Sequence, residues 1–292
     1  MNKTNLYEMV TQKFVTIFES GVVPWQISWK TKNGMPRNLI TNRPYAGINL
    51  WTLLSKKFES PYYLTFEQAR DYGFLIKKGE KASMVFYWKI IESTGKEGIN
   101  KRTPVLSYYN IFNLTQIEGY SPRKISRLEN FEYSCNSIAL ADQIIYEWKD
   151  CPEIMWDYDR AYYAPGMDTV CMPNPDTFAN DERCYSTLFH ELVHSTGHRC
   201  RLGRHEKIKD HQFSSQDFTQ EELVAEMGAA YLCGITGIEP PAIENKSEYI
   251  KNWIKTFQLD PTVLVLAATQ AQYAVYYILN QKPELPYSSK LQ

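Results

Sequence analysis

All five histidines of the 292-residue chain lie within 22 consecutive positions, between His190 and His211. Three of them belong to the stretch HELVHSTGH, which begins with an HExxH motif. On a helix, His190 and His194 lie on one face, so their imidazoles can bind a single zinc ion while Glu191 polarises a water molecule. A chance match on a buried helix is the alternative. The clustered histidines favour a Zn2+ site with Glu191 as its catalytic residue.

The motif leaves the third zinc ligand open. A catalytic zinc ion usually takes three protein ligands and keeps a fourth position for water. In the metzincin pattern a third histidine follows ten residues after the first, but Cys200 occupies that position here. His198 lies just beyond the expected end of the helix and can reach back only with strain.

A further candidate ligand lies downstream, in the stretch TQEELVAEMGAAYLCG. Glu222 and Glu226 are four residues apart there, one turn from each other on a second helix. Glu222 can bind the metal, and Glu226 can orient a ligand histidine from behind. However, Thr219 and Glu222 also form the pattern of a capping box, in which the glutamate only accepts a backbone N–H. From these residues alone, ligand and cap are equally good interpretations.

The elements that must position these residues differ between the two halves of the chain. In the first half, apolar periodicity predicts helices in LYEMVTQKFVTIFES, which stops near Gly21, and in GINLWTLLSKKF, and Thr65 with Gln68 predicts a capped helix. The stretches SMVFYWKIIES and PVLSYYNIFNL predict paired strands around a loop at 92–103. In the second half we predict further helices at 135–149, 219–233 and 247–280, and a strand at DTVCMP. The fold class expected is therefore α+β, with a mainly helical second half that contains a small sheet.

Charge divides the chain in the same way. Residues 1–125 carry 18 lysines and arginines against 9 acidic residues, whereas residues 126–292 carry 14 against 24. We therefore predict two domains, 1–125 and 126–292, of which the basic one is a candidate for binding a polyanion. The alternative is that the two halves simply attract each other.

Composition excludes several classes of protein. Hydrophobic residues make up 43% and charged residues 22% of the chain, as in ordinary globular proteins. No apolar run is long enough to cross a bilayer, and the first residues lack the apolar core of a signal peptide, so we expect a cytoplasmic protein without a membrane partner. The six cysteines form no CxxC pair, which argues against a zinc ribbon or a redox motif.

Long blocks of the sequence resemble a known family. DRAYYAPGMDTVCMP, YSTLFHELVHSTGHRCRLGR, EELVAEMGAAYLCG and YIKNWIKTF resemble the zincin-like metallopeptidase domain of ArdC-type antirestriction proteins and phage polyvalent proteins. VPWQISW, GMPRNLITNRPYAGINLWTLL, YLTFEQARDYGFLIKKGEKASMVFYWK and YYNIFNLTQIEG resemble the single-stranded-DNA-binding domain of the same family, which also occurs in plasmid primases of the TraC type.

The resemblance implies a metal site of two histidines and a glutamate from the EExxAE segment. It thus favours Glu222 as the third ligand and Glu226 as its supporting residue. It assigns no role to His198 and Arg201, for which structural support of the loop after the helix is the better interpretation. It also implies protection of incoming DNA from restriction.

Single-stranded DNA is bound by basic grooves that include aromatic faces for base stacking. The first half offers both kinds of residue. The DNA-binding candidates are Trp25, Trp29, Arg37, Arg43, Tyr45, Lys77, Lys78 and Lys81. A tryptophan in a domain of this size is more often part of the core than a stacking platform.

The residues predict a single-stranded DNA-binding protein that is also a zinc metallopeptidase acting on a protein or peptide substrate, and the resemblance implies that it is of the antirestriction type. In peptide hydrolysis Glu191 would take a proton from the attacking water and pass it to the leaving amine. The strand DTVCMP would be the edge of the sheet with which an extended peptide pairs. The sequence does not identify the group that stabilises the oxyanion, for which His205, His211 and Tyr231 are only candidates. The alternative function is DNA protection with a purely structural zinc site, closed by Cys200 or His198 as a fourth ligand.

Overall fold

The computed structural model describes residues 6–27, 34–94, 100–120, 136–205, 215–240 and 246–282. Trp29, His211 and the expected domain boundary near residue 125 lie outside these ranges. No helix within them has the length and the apolar character needed to cross a membrane.

A long antiparallel hairpin dominates the sheet of the first half. Strands β4 (Ser83–Thr94) and β5 (Asn100–Asn113) pair from Ser83 opposite Ile111 to Thr94 opposite Asn100. β5 also pairs with β2 (Tyr62–Thr65), and β2 pairs in parallel with β1 (Arg37–Asn38), which gives the order β1-β2-β5-β4. β3 (Leu75–Ile76) and β6 (Ile117–Glu118) form a separate pair. The expected hairpin is confirmed, although its strands extend into the segment predicted as loop.

Three helices accompany this sheet, namely α1 (Leu6–Glu19), α2 (Ile48–Leu54) and α3 (Phe66–Asp71). At the start of α3, the backbone N–H of Gln68 donates to Thr65 Oγ1 at 3.1 Å, and the Gln68 side chain accepts from the backbone N–H of Thr65 at 3.0 Å. Each bond satisfies a backbone group that the helix end leaves without an intrahelical partner. The predicted capping box is therefore present.

The second half is a helical bundle with a small sheet. Its helices are α4 (Ser137–Glu147), α5 (Asp181–Ser195), α6 (Ser215–Thr236), α7 (Lys246–Leu259) and α8 (Val263–Ile278). The predicted helical tail is thus two helices, separated at 260–262 around Pro261. From Leu223 to Cys233 every residue of helix α6 is buried except Glu226, as expected of a helix at the centre of a bundle.

Helices α5 and α6 approach closely because α6 carries a glycine at their contact. A Cβ atom at Gly228 would lie 2.8 Å from both methyl groups of Val193 on α5. Real Cβ atoms do not come so close, so any larger residue at position 228 would push the two helices apart. The small residues of the GAAYLCG stretch thus set the distance between the helix of the HExxH motif and the helix of Glu222.

The small sheet has β9 (Thr169–Cys171) at its centre, between β7 (Glu153–Met155) and β8 (Tyr162–Ala164). β9 pairs in parallel with β7 and antiparallel with β8, so its backbone groups are used on both sides. The prediction that the strand DTVCMP is an edge available to a peptide is therefore wrong. Of the three strands in this sheet, β7 and β8 are the ones at its edges.

One hydrophobic core joins both halves of the chain. Phe18 of α1 lies 5.9 Å from both Trp253 and Phe257 of α7, measured between ring centroids, and Trp25 lies 5.3 Å from Trp253. These rings belong to a core cluster that extends from α1 to α8. The architecture is α+β as predicted, but the basic and acidic halves share their interior.

Candidate metal centre

The HExxH motif lies on α5, whose start is fixed by a side-chain cap. The Asn180 carboxamide oxygen accepts the backbone N–H of Arg183 at 2.9 Å. Leu188, Leu192 and Val193 of α5 are buried in the core. With these residues in the interior, the 3.6-residue period brings His190 and His194 together on the face toward α6.

His190, His194 and Glu222 converge on one point. The two Nε2 atoms are 3.1 Å apart, and the Glu222 carboxylate oxygens lie 3.4 Å from His190 Nε2 and 3.4 Å from His194 Nε2. Ligand atoms about 2.1 Å from a tetrahedral ion are separated by about 3.4 Å from one another. Oε2 of Glu222 is the oxygen near His190 and Oε1 is the oxygen near His194, and each of the three distances is similar to the spacing of ligand atoms around a zinc ion. Among the described residues, this is the group of three or more potential ligands that could hold a metal ion.

The position of Glu222 within α6 argues against the interpretation as a cap. Helix α6 begins at Ser215, so Thr219 lies inside the helix and not at its N-cap. A capping box needs the threonine at the N-cap, where backbone N–H groups lack partners. The geometry therefore favours Glu222 as a metal ligand.

Burial and charge shift the pKa values of all three groups. Burial lowers the pKa of His194, but the carboxylates of Glu221 and Glu222 outweigh it and raise that pKa to about 10. The pKa of His190 is likewise raised, because Glu222 overcomes the effect of burial. Burial raises the pKa of Glu222, yet the two imidazoles bring it well below its usual range. The charged form of Glu222 and the protonated forms of the two imidazoles therefore stabilise one another.

Two further glutamates surround these groups. Glu191 is buried, and its charge raises the pKa of His190. Burial raises the pKa of Glu226 to about 7, although the neighbouring His190 acts to lower it. The carboxylate that contacts the His194 imidazole on the side away from Glu222 is that of Glu221, which lies 3.5 Å from His194 Nδ1. Glu221 is not among the residues predicted from the sequence, although the doubled glutamate of TQEEL is a signal for it.

The alternative ligands after the helix lie apart from this group. His198 Nδ1 is 3.8 Å from Asp168 Oδ2, and Cys200 is exposed and unpaired. Arg201 donates two hydrogen bonds to Asp168, at 2.6 and 3.0 Å, and one to the carbonyl oxygen of Ser195. These residues fasten the loop to the end of α5, as the sequence analysis favoured for His198 and Arg201.

The expected oxyanion donors are not confirmed. Tyr231 lies nine residues after Glu222, about 13 Å further along α6. Its side chain is buried and forms a hydrogen bond with Tyr276. The prediction for Tyr231 is therefore wrong. His205 Nε2 lies 3.4 Å from Glu221, on the far side of the ligand imidazole. Among the described residues no oxyanion donor is identified.

The DNA-binding candidates divide by exposure. Trp25 is 1% and Tyr45 is 7% exposed, so neither ring presents a face on which a base can stack, and both predictions are wrong. Arg43 is exposed, and Arg37 is half-buried, with its Nε donating to the carbonyl oxygen of Met35 at 3.3 Å. Trp29 has no described position.

Lys77, Lys78 and Lys81 are exposed on one turn between β3 and β4, called here the lysine turn (residues 77–81). Lys77 Nζ donates to the carbonyl oxygen of Thr115 at 2.7 Å. Gln116 donates to the Glu80 carboxylate at 2.7 Å and to the carbonyl oxygen of Lys81 at 3.0 Å. The turn is therefore held in shape by Thr115 and Gln116, which directly precede β6, and its lysines lie on the surface.

Two family profiles match the chain, one on each half. The profile of the zincin-like metallopeptidase family matches residues 141–270. The profile of the N-terminal domain of the anti-restriction factor ArdC matches residues 4–112. A crystal structure of the antirestriction protein ArdC from plasmid R388, free of metal, superposes with a TM-score of 0.77 at 29% identity, over 95% of this chain and 99% of that one. The chain belongs to the ArdC-type family.

Further relatives match nearly the whole chain. A second crystal structure of the R388 ArdC protein, with Mn(II) bound, matches with the same TM-score of 0.77 at 29% identity, over 94% of this chain and 97% of that one. The chain is 24% identical to the uncharacterized protein y4eC of Sinorhizobium fredii, over 96% of its length and 94% of that protein. It is also 29% identical, over 95% of its length, to two DNA primases TraC of Escherichia coli, of which it spans only 27% and 20%.

Proposed function

We propose that the acidic half is a zinc-dependent peptidase. The observation that carries this proposal is the convergence of His190, His194 and Glu222, with Glu191 beside them. Three protein ligands leave one coordination position open, which is typical of catalytic rather than structural zinc sites. The manganese-bound relative supports a divalent metal in this fold and leaves its identity in this chain to be tested.

The roles of the residues follow from their positions. A bound divalent ion would supply Lewis acidity toward a peptide carbonyl and toward water. Glu191 would accept a proton from the attacking water and deliver it to the leaving amine. His190, His194 and Glu222 would hold the ion, and the buried surroundings of Glu191 would strengthen its interactions with these charged groups.

The peptide substrate would bind along β8 rather than β9. β8 is an antiparallel edge strand of its three-stranded sheet, and it packs against α5, which carries the motif. An extended peptide can add to such an edge through main-chain hydrogen bonds. This assignment replaces the edge that the sequence analysis placed at DTVCMP.

Metal analysis of purified variants tests the site. We expect about one zinc ion per chain in the wild type, loss of the ion in His194→Ala, and retention of the ion without hydrolysis in Glu191→Gln. Peptide hydrolysis is followed with a library of quenched fluorescent peptides. Wild-type protein without metal, or Glu191→Gln protein as active as wild type, would contradict the proposal.

For the basic half we propose binding to single-stranded DNA through the lysine turn and the adjacent helix α3. Phe66 at the start of α3 and Tyr72 just after it are exposed, and the buried Trp25 and Tyr45 are not available for this role. Aromatic faces beside lysines are the combination that single-stranded DNA requires. The two exposed rings and the lysine turn are close in sequence, on either side of β3.

This proposal is tested on the full chain, because α1 and Trp25 share a core with α7. We expect Lys78→Ala/Lys81→Ala to weaken binding in a gel-shift assay and to reduce the salt slope by about 1.4, the value for two lost phosphate contacts on a single strand. The matched control is Lys251→Ala/Lys255→Ala, which removes two exposed lysines from α7. Equal effects of the two double variants would contradict the lysine turn.

Antirestriction is the cellular function that we propose, with DNA shielding as its first mechanism. The basic half is sufficient in principle for shielding, and Glu191 lies in the other half of the sequence. We expect Glu191→Gln to shield single-stranded DNA from nucleases and to defend plasmids in cells. Normal DNA binding with lost protection in cells would instead indicate cleavage of a restriction subunit.

A further inference from the structure

Glu221 occupies the position directly before the expected ligand Glu222, and its surroundings differ from those of an ordinary surface glutamate. Its side chain is 11% exposed, and it accepts two hydrogen bonds from Arg204, at 2.7 and 3.1 Å. Its Oε1 atom is also 3.5 Å from His194 Nδ1 and 3.4 Å from His205 Nε2. One carboxylate thus touches a ligand imidazole, an arginine and a second imidazole.

Arg204 connects this carboxylate to the end of α5. Its Nη1 atom donates to Thr196 Oγ1 at 2.7 Å, and its Nη2 atom donates to the carbonyl oxygen of Val193 at 3.0 Å. Both acceptors flank His194 in the chain. The buried guanidinium therefore holds the Glu221 carboxylate at a fixed place relative to the histidine.

Gly197 completes the arrangement by leaving room for His205. A Cβ atom at position 197 would overlap the His205 imidazole, so a side chain there would drive that ring away from Glu221. In the metzincin pattern a glycine at this position precedes the third histidine ligand. Here Gly197 makes space for the His205 ring, which contacts Glu221 and is not part of the group formed by His190, His194 and Glu222.

We propose that Glu221 is a positioning residue for the metal site, which accepts the Nδ1–H of His194 and so keeps the Nε2 lone pair directed at the ion. The inference rests on the proposed metal site. A ligand histidine almost always donates its second ring N–H to a carboxylate or carbonyl, which fixes the tautomer and the ring orientation. The nitrogen of His194 opposite the ligand group faces Glu221, and Glu226 has no such contact among the described hydrogen bonds and ion pairs.

Metal affinity is the measurement that tests this role. Zinc titrations of Glu221→Gln against a chromophoric chelator should give an affinity about 10- to 100-fold weaker than that of wild type, the usual effect of losing such a partner. Glu248→Gln, at an exposed position on α7, is the matched control and should bind as wild type does. The Co(II)-substituted proteins should also differ, because a reoriented imidazole changes the ligand-field spectrum.

A merely structural role for Glu221 gives a different result. In that case the variant would unfold at lower denaturant concentration, while the folded fraction would bind zinc within about twofold of wild type, and the inference would be overturned. Glu221→Asp keeps a negative charge for Arg204 but withdraws the carboxylate from Nδ1, so it is the variant to use if Glu221→Gln does not fold. Since Asp preserves the charge, weakened zinc binding in that variant supports positioning, and unchanged binding overturns it.

The same titrations separate this inference from the proposed function. If wild type binds zinc and Glu222→Gln does not, the metal site stands whatever Glu221→Gln shows. If wild type binds no zinc, the proposed site itself fails and the positioning role fails with it.

Discussion

The loop that follows α5 should be stabilised chiefly by the ion pair of Asp168 and Arg201. The two side chains form two hydrogen bonds, at 2.6 and 3.0 Å, and Arg201 is 5% exposed whereas Asp168 is one-third exposed. Asp168 has a positive φ of 53°, which asparagine also tolerates. Asp168→Asn therefore removes the charge without straining the backbone.

The expected loss follows from these contacts. Hydrogen bonds to charged groups contribute about 1.5–3 kcal/mol each, and asparagine retains one neutral acceptor for Arg201. With the partial exposure of Asp168 taken into account, we expect the free energy of unfolding to fall by about 2 kcal/mol at pH 7. Urea unfolding of wild type and variant measures this difference.

The pH dependence gives a sharper test. Burial raises the pKa of Asp168, but Arg201 and Tyr163 outweigh it, so that the pKa in the folded protein lies below its usual range. The contribution of Asp168 is thus complete above the unfolded pKa of about 3.9 and is lost as the pH falls through the lower folded value. The difference between wild type and Asp168→Asn should shrink below about pH 4. A difference that stays constant down to pH 3 would refute the ion-pair argument.

Three further predictions concern the site and its supports. The metal-free protein should lose stability as the pH rises from about 6.5 to about 10, because the carboxylate neighbours of His194 raise its pKa to about 10. Zinc affinity should rise over the same pH range, since the imidazole must lose its proton to bind the ion. Titration calorimetry in two buffers measures the protons released on zinc binding. Gly197→Ala should weaken zinc binding by displacing the ring of His205 from Glu221, and an affinity equal to that of wild type would show that the ring has no influence. Thr65→Ala should cost about 1 kcal/mol of stability by removing the capping box, as measured by urea unfolding, and an unchanged midpoint would contradict the role of that cap.

The sequence was sufficient for the part of the site that depends on local periodicity. His190 and His194 were predicted as one face of a helix because residues four apart always share a face. Whether Glu222 is interpreted as a metal ligand or as a capping residue depends on where α6 begins, and helix ends are the least certain feature of a periodic pattern. The start at Ser215, four residues before Thr219, is what removes the cap interpretation.

The errors concern contacts between distant parts of the chain. Trp25 is buried because Trp253 and Phe18 pack against it, and nothing near residue 25 indicates a partner more than two hundred residues away. The strand at 169–171 was recognised, but its neighbours on both sides are set by the topology of the sheet. For Glu221 the doubled glutamate of TQEEL is a local signal, but its role depends on contacts with Arg204 and with the imidazole of His194, which that signal does not indicate.

The central claim is that two histidines of α5 and a glutamate of α6 bind one catalytic metal ion. Anomalous diffraction at the zinc edge, from crystals of the zinc-loaded protein, tests it most directly. We predict one strong peak about 2.0–2.2 Å from His190 Nε2, His194 Nε2 and a carboxylate oxygen of Glu222, with a non-protein atom as the fourth ligand. A peak elsewhere, or a fourth ligand from Cys200 or His198, would contradict the catalytic site.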